Sequence, residues 1–338
     1  MSVVDGVRTR ARRRRVIVVA GLGVLVIAMT VVALSVGDYP LSPVQLWRTL
    51  WGGGERVESY VLFQVRAPRV AMAVVVGACL GAAGALLQAL TRNPLASPDL
   101  LGISGGSSVA AVFVILVLGM TGPVLAVAAF GGGMLVAALL LLAGSRSGDG
   151  IYRLILAGVG VSFLSVSVTS YLMVRAQVEL AQSALIWMTG TLAATAWWHV
   201  ATVVAVVVIA LPGVLAAARW LPISQLGAPT AAGLGIRPGT VRWVTVASAV
   251  LLTAVTCAFA GPISFVALCA PAIARPLLGH GSIGVGASAA VGAAILTAAD
   301  LVAQYALPGV SLPVGVVTGA IGAVFLLWLL AASKGRTL

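Results

Sequence analysis

Charge is scarce in this sequence. Only 8% of the 338 residues are Asp, Glu, Lys or Arg, while 61% are apolar. A water-soluble domain of that make-up could not clothe its own surface, so most of the chain must face lipid or neighbouring membrane helices. Lysine is rarer still. Lys334 is the only one, no G-x-x-x-x-G-K-[ST] loop is present, and this chain therefore cannot supply the usual ATP-binding lysine. The two histidines, His199 and His280, form no H-E-x-x-H pair and read as interfacial side chains at helix ends. Three cysteines, Cys79, Cys257 and Cys269, lie in apolar segments without a C-x-x-C pair, which argues against a disulfide framework or a metal site and for packing roles. No catalytic residue and no metal-ligand set is expected.

What is present is a series of apolar runs long enough to cross about 30 Å of hydrocarbon. Splitting them at Gly, Pro and charge clusters predicts an all-α, polytopic membrane protein with ten helices at roughly 16–36, 67–90, 100–119, 123–143, 151–173, 199–218, 243–260, 262–279, 284–307 and 312–332. The Gly122-Pro123 and Gly261-Pro262 breaks are the weakest separators. The run after Arg8 to Arg15 is too long for a signal-peptide core and has a poor cleavage site, so it is read as a retained first helix. The layout is then a basic tail at 1–15, a membrane domain at 16–332 and a short tail at 333–338.

A net charge of +12 would suggest nucleic acid in a soluble protein, but here the cations sit in short loops and the N-terminal tail. Cytoplasmic loops retain positive charge. With both termini inside, the inner segments hold Arg8, Arg10, Arg12, Arg13, Arg14, Arg15, Arg92, Arg146, Arg153, Arg219, Arg237, Arg242, Arg275, Lys334 and Arg336, against Arg48, Arg56, Arg66, Arg69 and Arg175 outside. Fifteen against five fixes the orientation in a bacterial plasma membrane.

Forty glycines, some at helical spacing such as Gly77/Gly81 and Gly315/Gly319, suit close helix packing. The outer segments 37–66 and 174–198 carry Trp47, Trp51, Trp187, Trp197 and Trp198, as chain at an interface does. Gly102-Ile103-Ser104-Gly105-Gly106 fits the G-x-S-x-G pattern of serine hydrolases, but Pro98 and Asp99 precede a helix start and no histidine is placed as base, so a glycine-softened helix start is the better reading. Asp300 is the one carboxylate inside a predicted span, with Gln304 one turn on. Two readings stay open for this pair: a polar element of a pathway, or a proton site in a secondary transporter, on one side, and a hydrogen-bonded pair that fixes helix packing on the other.

Three blocks carry a resemblance. The first is Arg66-Ala67-Pro68-Arg69-Val70, continuing through Gly77 to Gly84 and Gln88 into Thr91-Arg92-Asn93-Pro94-Leu95-Ala96-Ser97-Pro98-Asp99 and on to Ser104. The second is Gly261-Pro262-Ile263-Ser264-Phe265-Val266 through Ala270-Pro271 to Arg275, and the third joins Ala299-Asp300-Leu301 to Leu312-Pro313-Val314-Gly315 and Thr318-Gly319. Together they resemble the iron-siderophore and vitamin B12 (FecCD-type) permease family of ABC importers, closest in pattern to the ferric-enterobactin type.

The resemblance implies a type II importer architecture of ten helices per subunit. It implies a homologous permease partner, in a heterodimer or a homodimer, two cytoplasmic ATPases that bind ATP and magnesium, and an extracytoplasmic binding lipoprotein that delivers a ferric siderophore. No cofactor is expected on this chain itself. By the resemblance Arg66 and Arg69 dock the binding protein, as exposed forked guanidiniums suit. Asn93, Pro94 and Leu95, with Ile151 and Tyr152, form a cytoplasmic gate. Leu226, Gly227, Ala231, Gly233, Leu234 and Gly235, in an inner loop over about 219–242, form a short helix pair that couples to the ATPase. The chain departs from the family pattern at Ala272, Gln304 and Val324, where histidine, arginine and proline are usual, and lacks acidic residues near Ala228 to Thr230 and before Pro313. The loss at Gln304 weakens one binding-protein contact and points to a specialised member of a heterodimer. The implied activity is transport without bond chemistry; a vitamin B12 or haem importer, a proton-coupled transporter and an intramembrane protease are the rivals.

Overall fold

The computed structural model describes residues 3–144, 150–279, 283–307 and 309–333. Each of the ten apolar runs forms a helix. In chain order the elements are α1 (Val3–Ser35), α2 (Pro43–Leu50), α3 (Arg56–Tyr60), a π-helical turn over Val61–Arg66, α4 (Ala67–Thr91), a 3-10 turn over Pro98–Leu101, α5 (Ile103–Leu116), α6 (Pro123–Gly144) and α7 (Gly150–Val174). There follow α8 (Val178–Met188), α9 (Trp197–Ser224), α10 (Ala228–Gly233), α11 (Pro238–Ala260), α12 (Val266–Leu278), α13 (Val285–Tyr305) and α14 (Val314–Ser333). No strand occurs among the described residues; Leu307 and Val310 make one isolated bridge.

Seven helices are long and apolar enough to span a membrane by themselves, and α5, α12 and the Val314–Trp328 stretch of α14 are shorter apolar helices. The predicted boundaries shift in four places. Helix α1 reaches back to Val3 through the arginine run, since arginine is a good helix former, so the basic tail expected at 1–15 is largely helical. The 3-10 turn at Pro98–Leu101 delays α5 to Ile103. Helix α9 continues to Ser224 despite Pro212 and Pro222, which narrows the loop expected at 219–242. Gly261 (φ 71) and Phe265 (φ 69) bracket an extended stretch, so α12 starts at Val266 and not at 262.

The centre of the bundle is α4. It packs against α13, α11, α12 and α9, and its second half from Cys79 to Ala89 is buried. Side chains at Gly77, Gly81 and Gly84 would collide with the carbonyls of Gly292, Ser288 and Ala267, so these glycines admit α13 and α12 to backbone distance. Gly315 meets the Thr189 carbonyl in the same way, whereas Gly319 faces open space, correcting the expectation that both glycines of that pair mediate packing. Helices α5, α6 and α7 form a second layer against α11.

The outer segments are ordered by caps. Ser42 and Gln45 form a capping box on α2, and buried Glu58 accepts from the Gln45 side chain at 3.0 Å, Thr49 at 3.3 Å and Arg48 at 3.3 Å. Trp197 donates from Nε1 to the Phe63 carbonyl at 2.8 Å, and His199 Nδ1 accepts from the Ala196 N–H at 2.9 Å. His199 therefore closes the start of α9, while His280 lies outside the described residues.

Candidate functional site

Polar side chains gather at the two ends of α4. At the outer end α1 finishes, leaving carbonyls with no partner in its own helix. Arg66 fills that need. Its Nη1 donates to Leu34 at 2.9 Å and Ser35 at 3.4 Å, and its Nη2 to Tyr39 at 2.6 Å, all carbonyl oxygens. Only 8% of the residue remains exposed. Arg69 turns to α13, where Nη2 meets Asp300 Oδ1 at 2.8 Å and Nε meets the two oxygens at 3.2 and 3.0 Å. Gln304 Nε2 donates to Asp300 Oδ2 at 2.8 Å, and the Tyr305 hydroxyl reaches the Val36 carbonyl at 3.2 Å.

The exposed pair of guanidiniums expected from the sequence is corrected by this arrangement. Both arginines bind groups of the subunit itself, Arg66 almost wholly and Arg69 with part of its side chain still exposed, because unpaired helix-end carbonyls and a carboxylate away from water demand cationic donors. Asp300 and Gln304 form a hydrogen-bonded pair, extended by the Arg69 cation, that ties α13 to α4.

The inner end is different in kind. Helices α4, α9 and α12 all finish there, and cations and amides bind their last carbonyls, as the negative end of a helix favours. Arg92, in the left-handed conformation that ends α4 (φ 53), donates to Ser224 at 3.2 Å and Gln225 at 3.1 Å on α9 and just beyond it. Gln225 Nε2 returns a bond to the Ala89 carbonyl at 3.2 Å, and Arg14 holds Leu277 and Pro276 of α12 at 2.9 and 3.0 Å. Gln88, Arg92, Pro94, Gln225 and Arg275 line a cavity of about 460 Å³ there. Gln88 Oε1 and Arg275 Nε have no protein partner in it.

The residues expected to form a cytoplasmic gate border this cavity in part. Asn93 Oδ1 accepts the Leu95 N–H at 2.9 Å, locking an exposed turn that presents Pro94 to the cavity and leaves Leu95 42% exposed. Ile151 and Tyr152 fall in the first turn of α7, but their side chains lie outside the described residues. Sequence reasoning passed over Arg92, Gln225 and Arg275 as members of this site. Arg92 could have been found from its place beside Asn93-Pro94, while the other two are joined to it only in space.

Beyond α9 the chain leaves the bundle. Gly227 (φ 110) and Gly235 (φ 79) take conformations that disfavour side chains, and between them α10 buries Ala231 while Leu226 and Leu234 on its flanks are 65% and 61% exposed. One short helix stands here instead of the expected pair, because Pro238 starts α11 directly. Gly233, the last residue of α10, is exposed.

Ser104, the centre of the G-x-S-x-G match, donates to Asp99 Oδ1 at 2.6 Å. Burial pushes the Asp99 carboxyl above the ordinary carboxylate range, and the Ser104 hydroxyl works against that shift. His199 is at the opposite end of the bundle, at the start of α9, so among the described residues no histidine is placed as a base for the serine, as the protease rival would need.

Among known proteins, the FecCD transport family profile matches residues 25–332. The chain is 35% identical over 297 residues to a ferric enterobactin transport system permease protein of Escherichia coli (strain K12), covering 88% of this chain and 90% of that one. It is 35% identical over 313 residues to a vitamin B12 import system permease protein of Vibrio cholerae, covering 90% and 91%. A solved metal-chelate type ABC transporter in an inward-facing conformation superposes with a TM-score of 0.85 at 28% identity, covering 93% of this chain and 98% of that one.

Proposed function

The chain belongs to the FecCD transport family, and from that premise we propose that it is the permease subunit of an ABC importer for ferric siderophores, moving the iron chelate from a binding protein to the cytoplasm by alternating access. The observation that carries this reading is α10. Two exposed leucines, Leu226 and Leu234, are held out on glycine-hinged chain at the arginine-rich end, where nothing in the subunit covers them. An apolar pair so presented fits a cleft in a cytoplasmic ATPase, the subunit that must supply the energy this chain has no lysine loop to obtain.

Two ATPases, a second homologous permease and an extracytoplasmic lipoprotein complete the assembly in this reading, with both termini cytoplasmic. ATP and magnesium reside on the ATPases. With Arg66 drawn inside, docking of the binding protein draws on Arg69, whose side chain keeps 16% exposure, and on exposed Arg56 at the start of α3. Helices sliding past one another at the inner cavity would open and close the Asn93-Pro94-Leu95 turn.

Reconstitution of the chain with its ATPase, partner permease and binding protein in vesicles tests the proposal. ATP-dependent accumulation of radioactive ferric siderophore is expected, and Leu226→Asp with Leu234→Asp is expected to abolish it while the complex of permeases survives. Accumulation of cobalamin instead of iron would move the cargo to vitamin B12. Uptake driven by a proton gradient without ATPase would overturn the reading.

A further inference from the structure

Helices α1 and α9 both lie on α4, and the slot between them forms a cavity of about 650 Å³. Its walls are apolar, including Ala78 and Ala82 on α4 and Val207, Leu211 and Val214 on α9. It extends along α9 from Val204 to Pro222, about 27 Å at ~1.5 Å per residue, so it runs from the arginine-rich end past the middle of an apolar core about 30 Å thick. Among the described residues the one charged side chain lining it is Arg15, at that end.

Arg15 differs from its neighbour. Arg14 is spent on the carbonyls of Pro276 and Leu277, whereas Arg15 is exposed, has no hydrogen-bond or ionic partner among the described residues, and shares the cavity with no carboxylate. Exposed Arg12 and Arg13 lie within one turn of it. An apolar slot that crosses most of the hydrocarbon core, closed at its wet end by an unpaired cation in a cluster of cations, is complementary to a single kind of occupant.

We propose that this slot binds an anionic phospholipid, with one acyl chain along α9 and α4 and the phosphate on Arg15. The site is independent of the cargo and of the ATPase, so it stands or falls apart from the transport reading. A juxtamembrane arginine near an anionic headgroup contributes about 1 kcal/mol, or about fivefold in affinity.

Native mass spectrometry of the purified full chain tests this with phosphatidylglycerol and phosphatidylcholine of the same acyl composition. Retention of one phosphatidylglycerol about fivefold above phosphatidylcholine is expected. Arg15→Gln should bring it down to the phosphatidylcholine level, while Arg13→Gln leaves it nearly unchanged. Val207→Trp fills the slot and should displace both lipids; because that variant could misfold, a photoreactive phosphatidylglycerol is also mapped on the unaltered chain and should label peptides of α1 and α9. Equal retention of the two lipids, or no effect of Arg15→Gln, would overturn the proposal. So would crosslinking of Leu211→Cys to a second protein chain, which would make the slot a subunit interface.

Discussion

Helices α4 and α7 have the same length, 25 residues each, and both read as apolar spans, yet the continuous Arg56–Thr91 helical run that contains α4 has its membrane-spanning window 78% buried inside the subunit and the Leu156–Val174 part of α7 only 17%. The difference lies in what each presents at helical spacing. On α4, Gly77, Gly81 and Gly84 form a flat stripe against which neighbouring backbones rest. On α7, Phe163, Leu164, Val166 and Tyr171 stand outward, each more than half exposed, while Ser165 and Thr169 face in. Small residues made one helix the axle of the subunit. Large ones left the other with an apolar face that lipid or a second permease must cover.

The sharpest way to break that contrast is Gly84→Leu. Its side chain would occupy the position of the Ala267 carbonyl, so the folded chain should be lost, seen as disappearance of the monodisperse peak in detergent chromatography. Next in size is the outer tie of α4 to α13. Asp300→Ala strands Arg69 in a largely buried site and should cost about 3–5 kcal/mol. The double variant Arg69→Gln with Asp300→Asn should recover much of that loss in thermal melts, and additive losses would refute the coupling.

A smaller effect is expected where α7 rests on the 3-10 turn at Pro98–Leu101. Since burial raises the Asp99 carboxyl, its charged form opposes folding: this cost is absent at acid pH and appears as pH rises from the ordinary carboxylate range through the raised value. Asp99→Asn keeps an acceptor for Ser104 and removes the charge. Its melting midpoint should match that of the parent in acid and exceed it at neutral pH. The smallest effect belongs to Gly160→Ala on α7, where an added methyl meets nothing within 4 Å. It should shift stability by no more than about 0.5 kcal/mol, and a large loss would mean that α7 is packed more tightly than its exposure indicates.

Much of the architecture was legible because lipid imposes it. Ten apolar runs became ten helices, and both doubtful breaks, at Gly122-Pro123 and Gly261-Pro262, proved to be real ends. Arg66 and Arg69 show what the sequence did not reveal. Their sequence suited exposure, but the C-terminus of α1 and Asp300 on α13, brought alongside by folding, captured both. The exposed leucines around α10 were indicated by the loop they occupy, whereas the cavity joining Gln88, Arg92, Gln225 and Arg275 draws on segments nearly two hundred residues apart.

By itself the sequence determined that the chain lives in a membrane, which ten apolar runs become helices, which loops carry the positive charge and that it has no phosphate loop of its own. Those properties follow from the free energy of placing each short segment in hydrocarbon or water, a local quantity. Only the tertiary structure decided which glycines bear weight, which arginines are free and where a slot remains between α1 and α9. Each of those depends on the distance between backbones far apart in the chain, and that distance is set by packing, which no single segment contains.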